Sequence, residues 1–113
     1  MEYVGNNPGT VQSALHTPSS SGNTVNKAST SVSAETTEFH IYSVIWSESQ
    51  ISFLVDGERF YTYKPDVVDS NTWPYTAPQF LILNVAMGGN LGGNIDPEFT
   101  ESVMEIDYVR IYQ

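Results

Sequence analysis

His16 and His40 are the only histidines in this chain, and it has no cysteine. They stand far apart with no third ligand suggested by the pattern, so a zinc site is a poor reading. Without cysteine there is no disulfide and no thiolate metal site. The glycine-rich GGNLGGNIDP at 88–97 lacks the Lys-Ser/Thr pair and the following helix that make a phosphate loop. A Ser-His-Asp set cannot be placed from sequence, which carries no geometry. What remains is carboxylate chemistry, since 13 Asp and Glu stand against 4 Lys and Arg. The acidic residues between 96 and 107 read as a solvated face. Glu2 raises a sharper question, because Glu2-Tyr3-Val4 reads like the tail of a strand that begins earlier.

The elements that would position such residues come from a chain of 113 residues, the size of one small domain. Its 40% hydrophobic content is enough for a core. Aromatics make up 12%, with Tyr prominent, which suits strands and sugar-stacking surfaces alike. A formal net charge of -9 repels phosphate backbones and anionic membrane surfaces, so neither nucleic acid nor membrane is expected as a partner. No apolar run approaches the length that spans a bilayer. The first residues show neither the basic start nor the apolar stretch of a secretory signal.

Turn and strand signals alternate along the chain. GNNPG (5–9) is dense turn signal. In TVQSALHT (10–17), Val11, Ser13 and Leu15 share one strand face, and Gln12, Ala14 and His16 the other. Residues 17–37 are rich in Ser and Thr and read as a long polar loop. EFHIYSVIWS (38–47) is apolar on both faces and predicts a central strand. ISFLV (51–55) and RFYTYK (59–64) flank Asp56-Gly57 and predict a hairpin. Residues 65–78 carry Pro65, Pro74 and Pro78 and read as loop. QFLILNVAM (79–87) and the alternating SVMEIDYVRIYQ (102–113) predict two further strands. No helix of ordinary length is expected. About six strands separated by turn signals argue for an all-β sandwich.

The blocks EFHIYSVIWSESQISFLVDGERFYTY, NTWPYTAPQFLILNVAMGGNLGG and MEIDYVRIYQ occur in this order. Together they resemble family 16 glycoside hydrolases, the laminarinase-like endo-β-1,3-glucanases, and the resemblance runs over 1–113. It implies a concanavalin-like β-jelly-roll sandwich with a glucan-binding cleft on its concave sheet, present here as its C-terminal half only. Residues 1–113 are then a partial domain that starts at the end of the catalytic strand. That strand in the family carries Glu-x-Asp-x-x-Glu, commonly ending Met-Glu and followed by an aromatic residue. Met1-Glu2-Tyr3 matches this tail, and the spacing from Glu2 to His16 fits the family as well. The resemblance therefore implies that Glu2 is the general acid/base and that the nucleophile Glu and assisting Asp lie upstream of Met1. A retaining glycosidase needs two carboxyl groups about 5–5.5 Å apart, so this chain by itself is expected to be inactive.

Other roles implied by the resemblance are substrate contacts and a metal. His16 would line the cleft. Gln79 and Asn84 would hydrogen-bond sugar hydroxyls. Trp73 would stack on a pyranose ring or plug the sandwich edge. Asp107 matches a position that ligates a structural Ca²⁺ in many members, and a carboxylate oxygen suits that ion. The expected partner is a β-1,3-glucan oligosaccharide or polysaccharide, met outside the cell. HTPSSSGNTVNKAST (16–30) leans towards laminarinases rather than lichenases, agarases or carrageenases. Family domains run to roughly twice this length. Half a jelly roll leaves strand edges unpaired, which invites self-association or a complementing N-terminal half. A non-catalytic glucan-binding remnant is the other functional reading.

Overall fold

A computed structural model describes all 113 residues, and they divide into two units, Met1–Gln79 and Phe80–Gln113. The first unit holds two antiparallel three-stranded sheets. In one, β1 (Glu2–Tyr3), β2 (Thr10–Ala14) and β3 (Lys27–Ser31) follow in order. In the other, β4 (Tyr42–Trp46), β5 (Ile51–Val55) and β6 (Glu58–Tyr63) do the same. The all-β expectation holds.

The β1–β2 turn works because Gly9 adopts a φ of 75°, a region closed to most side chains. Along β2 the predicted alternation is realised: Val11 and Ser13 are buried, while Gln12 and Ala14 are only partly so. β3 is a correction. Residues 17–37 are not one loop but contain a 3₁₀ turn (Pro18–Ser20) and the strand Lys27–Ser31. KASTS has no apolar alternation to announce it, and its register comes from β2, through pairs such as Val11↔Thr30 and Ser13↔Ala28.

The predicted hairpin at Asp56-Gly57 is present. Both residues have positive φ, 52° and 84°, as a two-residue primed turn requires. β6 carries a bulge opposite Phe53 and Leu54, which pair with Tyr61 and Arg59 and leave Phe60 unmatched. β4 corrects the expectation of a central strand. It lies at a sheet edge, with Tyr42, Val44, Ile45 and Trp46 all exposed. Its apolar faces record a strand suited to burial, but only β5 pairs with it.

Two apolar clusters make the core. Ile51, Phe53, Tyr63 and Trp73 form one, with Leu15, Phe60, Tyr61 and Tyr75 against it. Val11, Val32 and Val55 form the other, and Phe60 packs there too. The Phe53 and Tyr61 rings lie nearly parallel, 6.1 Å between centroids. Full burial of a Phe side chain contributes about 1.5–3 kcal/mol, and deleting it also leaves a cavity.

In the second unit the strands predicted at 79–87 and 102–113 do not form. Its one regular element is a single helical turn, α1 (Gly89–Gly92). A strand exists only through its ladder, and neither segment has a paired neighbour. The apolar side chains of FLILNVAM stay exposed, Phe80 at 85%. A local contact persists at the C-terminal end, where the Arg110 guanidinium stands 4.4 Å from the centre of the Tyr108 ring.

An ion pair fastens the entry of β4 to the β5–β6 hairpin. His40 Nδ1 lies 2.7 Å from Asp56 Oδ2, and Asp56 Oδ1 accepts from the Ile41 N–H at 2.8 Å. The His40 side chain is 11% exposed and that of Asp56 49%. The bond to Asp56 holds His40 above the ordinary imidazole value of 6.5. The Ile41 N–H first, and His40 second, hold Asp56 below 3.8. Raised in the folded state, His40 contributes stability in full below pH 6.5 and loses it as pH rises through its folded value. Asp56 contributes above 3.8 and loses it as pH falls through its own lowered value. Thermal unfolding of the chain from pH 4 to 9 should therefore show a plateau between those limits and a decline on the alkaline side. Asp56→Asn keeps the positive-φ turn, since Asn tolerates that region, and should flatten the decline. An unchanged alkaline slope in this variant would show that the pair does not couple to folding. Phe53→Ala should cost about 3–5 kcal/mol in urea unfolding, the largest loss expected in the β5–β6 hairpin.

Candidate active site

Side chains directly opposite each other in a β-ladder point to the same face. Glu2 pairs with Gln12, and Gln12 with Ser29. Ala14 pairs with Lys27 in the next row of that face. Glu2, Gln12, Ser29 and Lys27 thus line the polar side of β1–β2–β3, while Val11 and Ser13 hold the other side in the core. Across the first row Gln12 Nε2 donates to Glu2 Oε2 at 3.1 Å. The face offers a carboxyl, an amide, a hydroxyl and an ammonium, a set that can hydrogen-bond hydroxylated ligands and transfer a proton.

β1 is only two residues long, and its hold comes from the segment after β3. The Gly9 N–H donates to Glu35 Oε1 at 2.8 Å, and Val32 N–H donates to the Gly9 carbonyl at 2.9 Å. The Gly9 N–H is the main reason the Glu35 carboxyl sits below the ordinary Glu range, and the Tyr3 hydroxyl adds to it. Glu35 thereby ties both the β1–β2 turn and the residue beside Glu2. Nothing in the sequence marked it: it is one Glu in a polar stretch.

His16 follows β2 and is exposed. Its backbone is fixed from the far side, where the Tyr75 hydroxyl donates to the His16 carbonyl at 2.7 Å. The segment beyond it is fastened by hydroxyls. Thr24 Oγ1 donates to the Leu15 carbonyl at 2.7 Å and accepts from the Asn26 N–H at 3.0 Å. Thr17 Oγ1 and Asn26 Nδ2 meet Ser20 Oγ at 2.8 and 2.9 Å, and Ser19 N–H reaches the Asn71 carbonyl at 3.0 Å. The Ser/Thr bias of 17–26 is thus a hydrogen-bonded scaffold for His16.

Trp73 had two readings, and the structure places it in the core. It is 3% exposed, its ring parallel to Tyr63 at 6.0 Å and edge-on to Tyr75 at 5.3 Å. Neither face of the indole is open to a sugar. Gln79 is exposed, donates to the Ala77 carbonyl at 3.2 Å, and borders an apolar hollow of about 190 Å³. Leu15, Val44, Trp46, Ile51, Phe53 and Tyr75 line the rest of it. The hollow lies among inner-face residues rather than on the face of Glu2. Asn84 and Asp107 belong to the second unit, and both are exposed. No three or more His, Cys, Asp or Glu side chains gather anywhere in the chain. Asp107 supplies at most two of the roughly six to eight oxygens that Ca²⁺ takes.

The family model described as glycosyl hydrolases family 16 matches residues 1–110. The chain belongs to this family. A β-glucanase of Rhodothermus marinus is 34% identical over the whole of this chain and 43% of its own length. Glucan endo-1,3-beta-glucosidase A1 of Niallia circulans is 36% identical over 67% of this chain and 12% of its own. Among solved structures, a laminarinase from Flavobacterium sp. UMI-01 matches with a TM-score of 0.62 and 37% identity, over 65% of this chain and 32% of that one. The chain thus spans less than half the length of the relatives it matches, and its two sheets are part of a jelly-roll-type domain. The alternation in TVQSALHT put Gln12 and His16 on one face from sequence alone. The Glu2–Gln12 bond needed the β1–β2 register, which no local pattern discloses.

Thr24→Val, which keeps the shape and removes the hydroxyl's contacts with Leu15, Ser20 and Asn26, should cost about 1–3 kcal/mol in urea unfolding. It should also broaden the His16 backbone resonance. A stability change within error would mean that the hydroxyl network does not hold this segment.

Proposed function

We propose that the chain supplies the acid/base half of a retaining endo-β-1,3-glucanase domain, with Glu2 giving a proton to the leaving oxygen and later activating water. The observation that carries this reading is the position of Glu2 on the polar face of β1–β2–β3, beside Gln12 and in register with Ser29. The family and the glucanase relatives support β-glucan as the ligand. His16, Ser29 and Lys27 are the further groups offered to sugar hydroxyls. Gln79 and Asn84 serve the same purpose once their segments are covered and paired. In this reading hydrolysis belongs to a domain in which a nucleophile carboxylate is also present, while glucan binding is a property of this face.

Reducing-sugar release from laminarin tests the assignment, with the chain assayed alone and mixed with a segment carrying the Glu-x-Asp-x-x part of the motif. The expected result is no release from the chain alone and release from the mixture. Glu2→Gln should lower the mixture's rate by at least about 10²-fold, the scale of general acid–base catalysis. Full activity in Glu2→Gln would remove Glu2 from the mechanism. Retention of the chain on insoluble β-1,3-glucan, without hydrolysis in any mixture, would favour a binding role.

A further inference from the structure

We infer that Gln12 is a positioning residue that selects which oxygen of the Glu2 carboxyl carries the proton; this rests on the acid/base reading of Glu2. The two residues are direct cross-strand partners, and Gln12 Nε2 stands 3.1 Å from Glu2 Oε2. An amide nitrogen carries two hydrogens and accepts none. A proton on Oε2 would face an N–H head-on, whereas a proton on Oε1 leaves Oε2 free to accept. The amide therefore keeps the transferable proton on Oε1, the oxygen available to a glycosidic oxygen. With the amide turned round, its carbonyl would face the ionised carboxylate and be repelled, so the donor orientation is the one compatible with both halves of the catalytic cycle.

The placement of the two residues gives the contact its direction. Glu2 is on an edge strand of two residues, and Gln12 is on the central strand of five. β2 is bonded on both sides, and its opposite face, Val11 and Ser13, is sealed in the core. Gln12 is accordingly the fixed partner, and it lends its orientation to a carboxyl that its own short strand would leave free to turn.

The ¹⁵N-labelled full chain tests this without any hydrolysis. The Gln12 side-chain amide resonances should move as Glu2 titrates. They should stay still over the same range in Glu2→Gln, which preserves shape and leaves Lys27, the other charge on this face, in place. An amide that ignores the titration in the unsubstituted chain overturns the inference, whatever laminarin assays say of Glu2. In the complemented mixture, Gln12→Leu should lower kcat on laminarin roughly ten-fold, part of what a general acid supplies, with KM within two-fold. Hydrolysis of a dinitrophenyl glucoside, whose leaving group departs without a proton, should be unaffected in its first step. Equal losses on both substrates would make Gln12 a purely structural residue and overturn the inference.

Discussion

Phe60 packs into both apolar clusters of the first unit, and the two sheets are joined there. The contact depends on a backbone irregularity. In an unbroken strand, neighbouring residues face opposite sides, so Phe60 and Tyr61 could not both turn inward. The bulge opposite Phe53 and Leu54 adds the extra residue that lets them. Phe53 then meets both rings, at 6.4 and 6.1 Å. Val11, on the inner face of β2, packs in the cluster that Phe60 caps. Burying that inner face turns Gln12 outward, and Gln12 meets Glu2. The site on one sheet is thus oriented by an aromatic wedge from the other.

The acidic bias of the chain is put to structural use. With 4 Lys and Arg for 13 carboxylates, ion pairing cannot satisfy most of the negative charge. Carboxylates capture backbone N–H groups instead; among them Glu35 takes that of Gly9, Asp56 that of Ile41, and Asp69 those of Asn71 and Thr72. Each is held below its ordinary range chiefly by those donors. Such bonds are charge-assisted and stronger than neutral ones. Each lies at a turn, where an orphan donor would otherwise face solvent. The first steadies the strand of Glu2, the second the hairpin of β5 and β6, and the third the loop leading to Trp73.

Sequence reasoning read the elements whose cause is local and missed those whose cause is a partner. The Asp56-Gly57 hairpin was legible because its turn type dictates its residues. The two faces of β2 were legible because burial imposes period two. β3 was not, since its five polar residues are held by β2 and by nothing in their own pattern. QFLILNVAM shows the converse, because its apolar run is a sound strand signal with no ladder to join. Trp73 shows a third limit. Its residue type fits a sugar platform and a core plug equally, and only the parallel Tyr63 ring decides for the core.

The same distinction separates the parts of the candidate site. The face around Glu2 is complete in its own terms, because sheet register, a buried reverse side and the Glu35 clamp all come from residues 1–79. The chemistry proposed for it draws on more than these residues, since a retaining mechanism needs a second carboxyl about 5–5.5 Å away. Binding sugar hydroxyls requires only that donors and acceptors stand in rows on a fixed sheet. The proposed bond cleavage also requires a nucleophile carboxyl on the opposite side of the anomeric carbon. The edge of β4, with its exposed Val44 and Trp46 bordering the apolar hollow and Ile45 exposed on its other face, has the same character. Its residue types are those of a covered sheet surface, which is why the sequence pattern reads as a central strand.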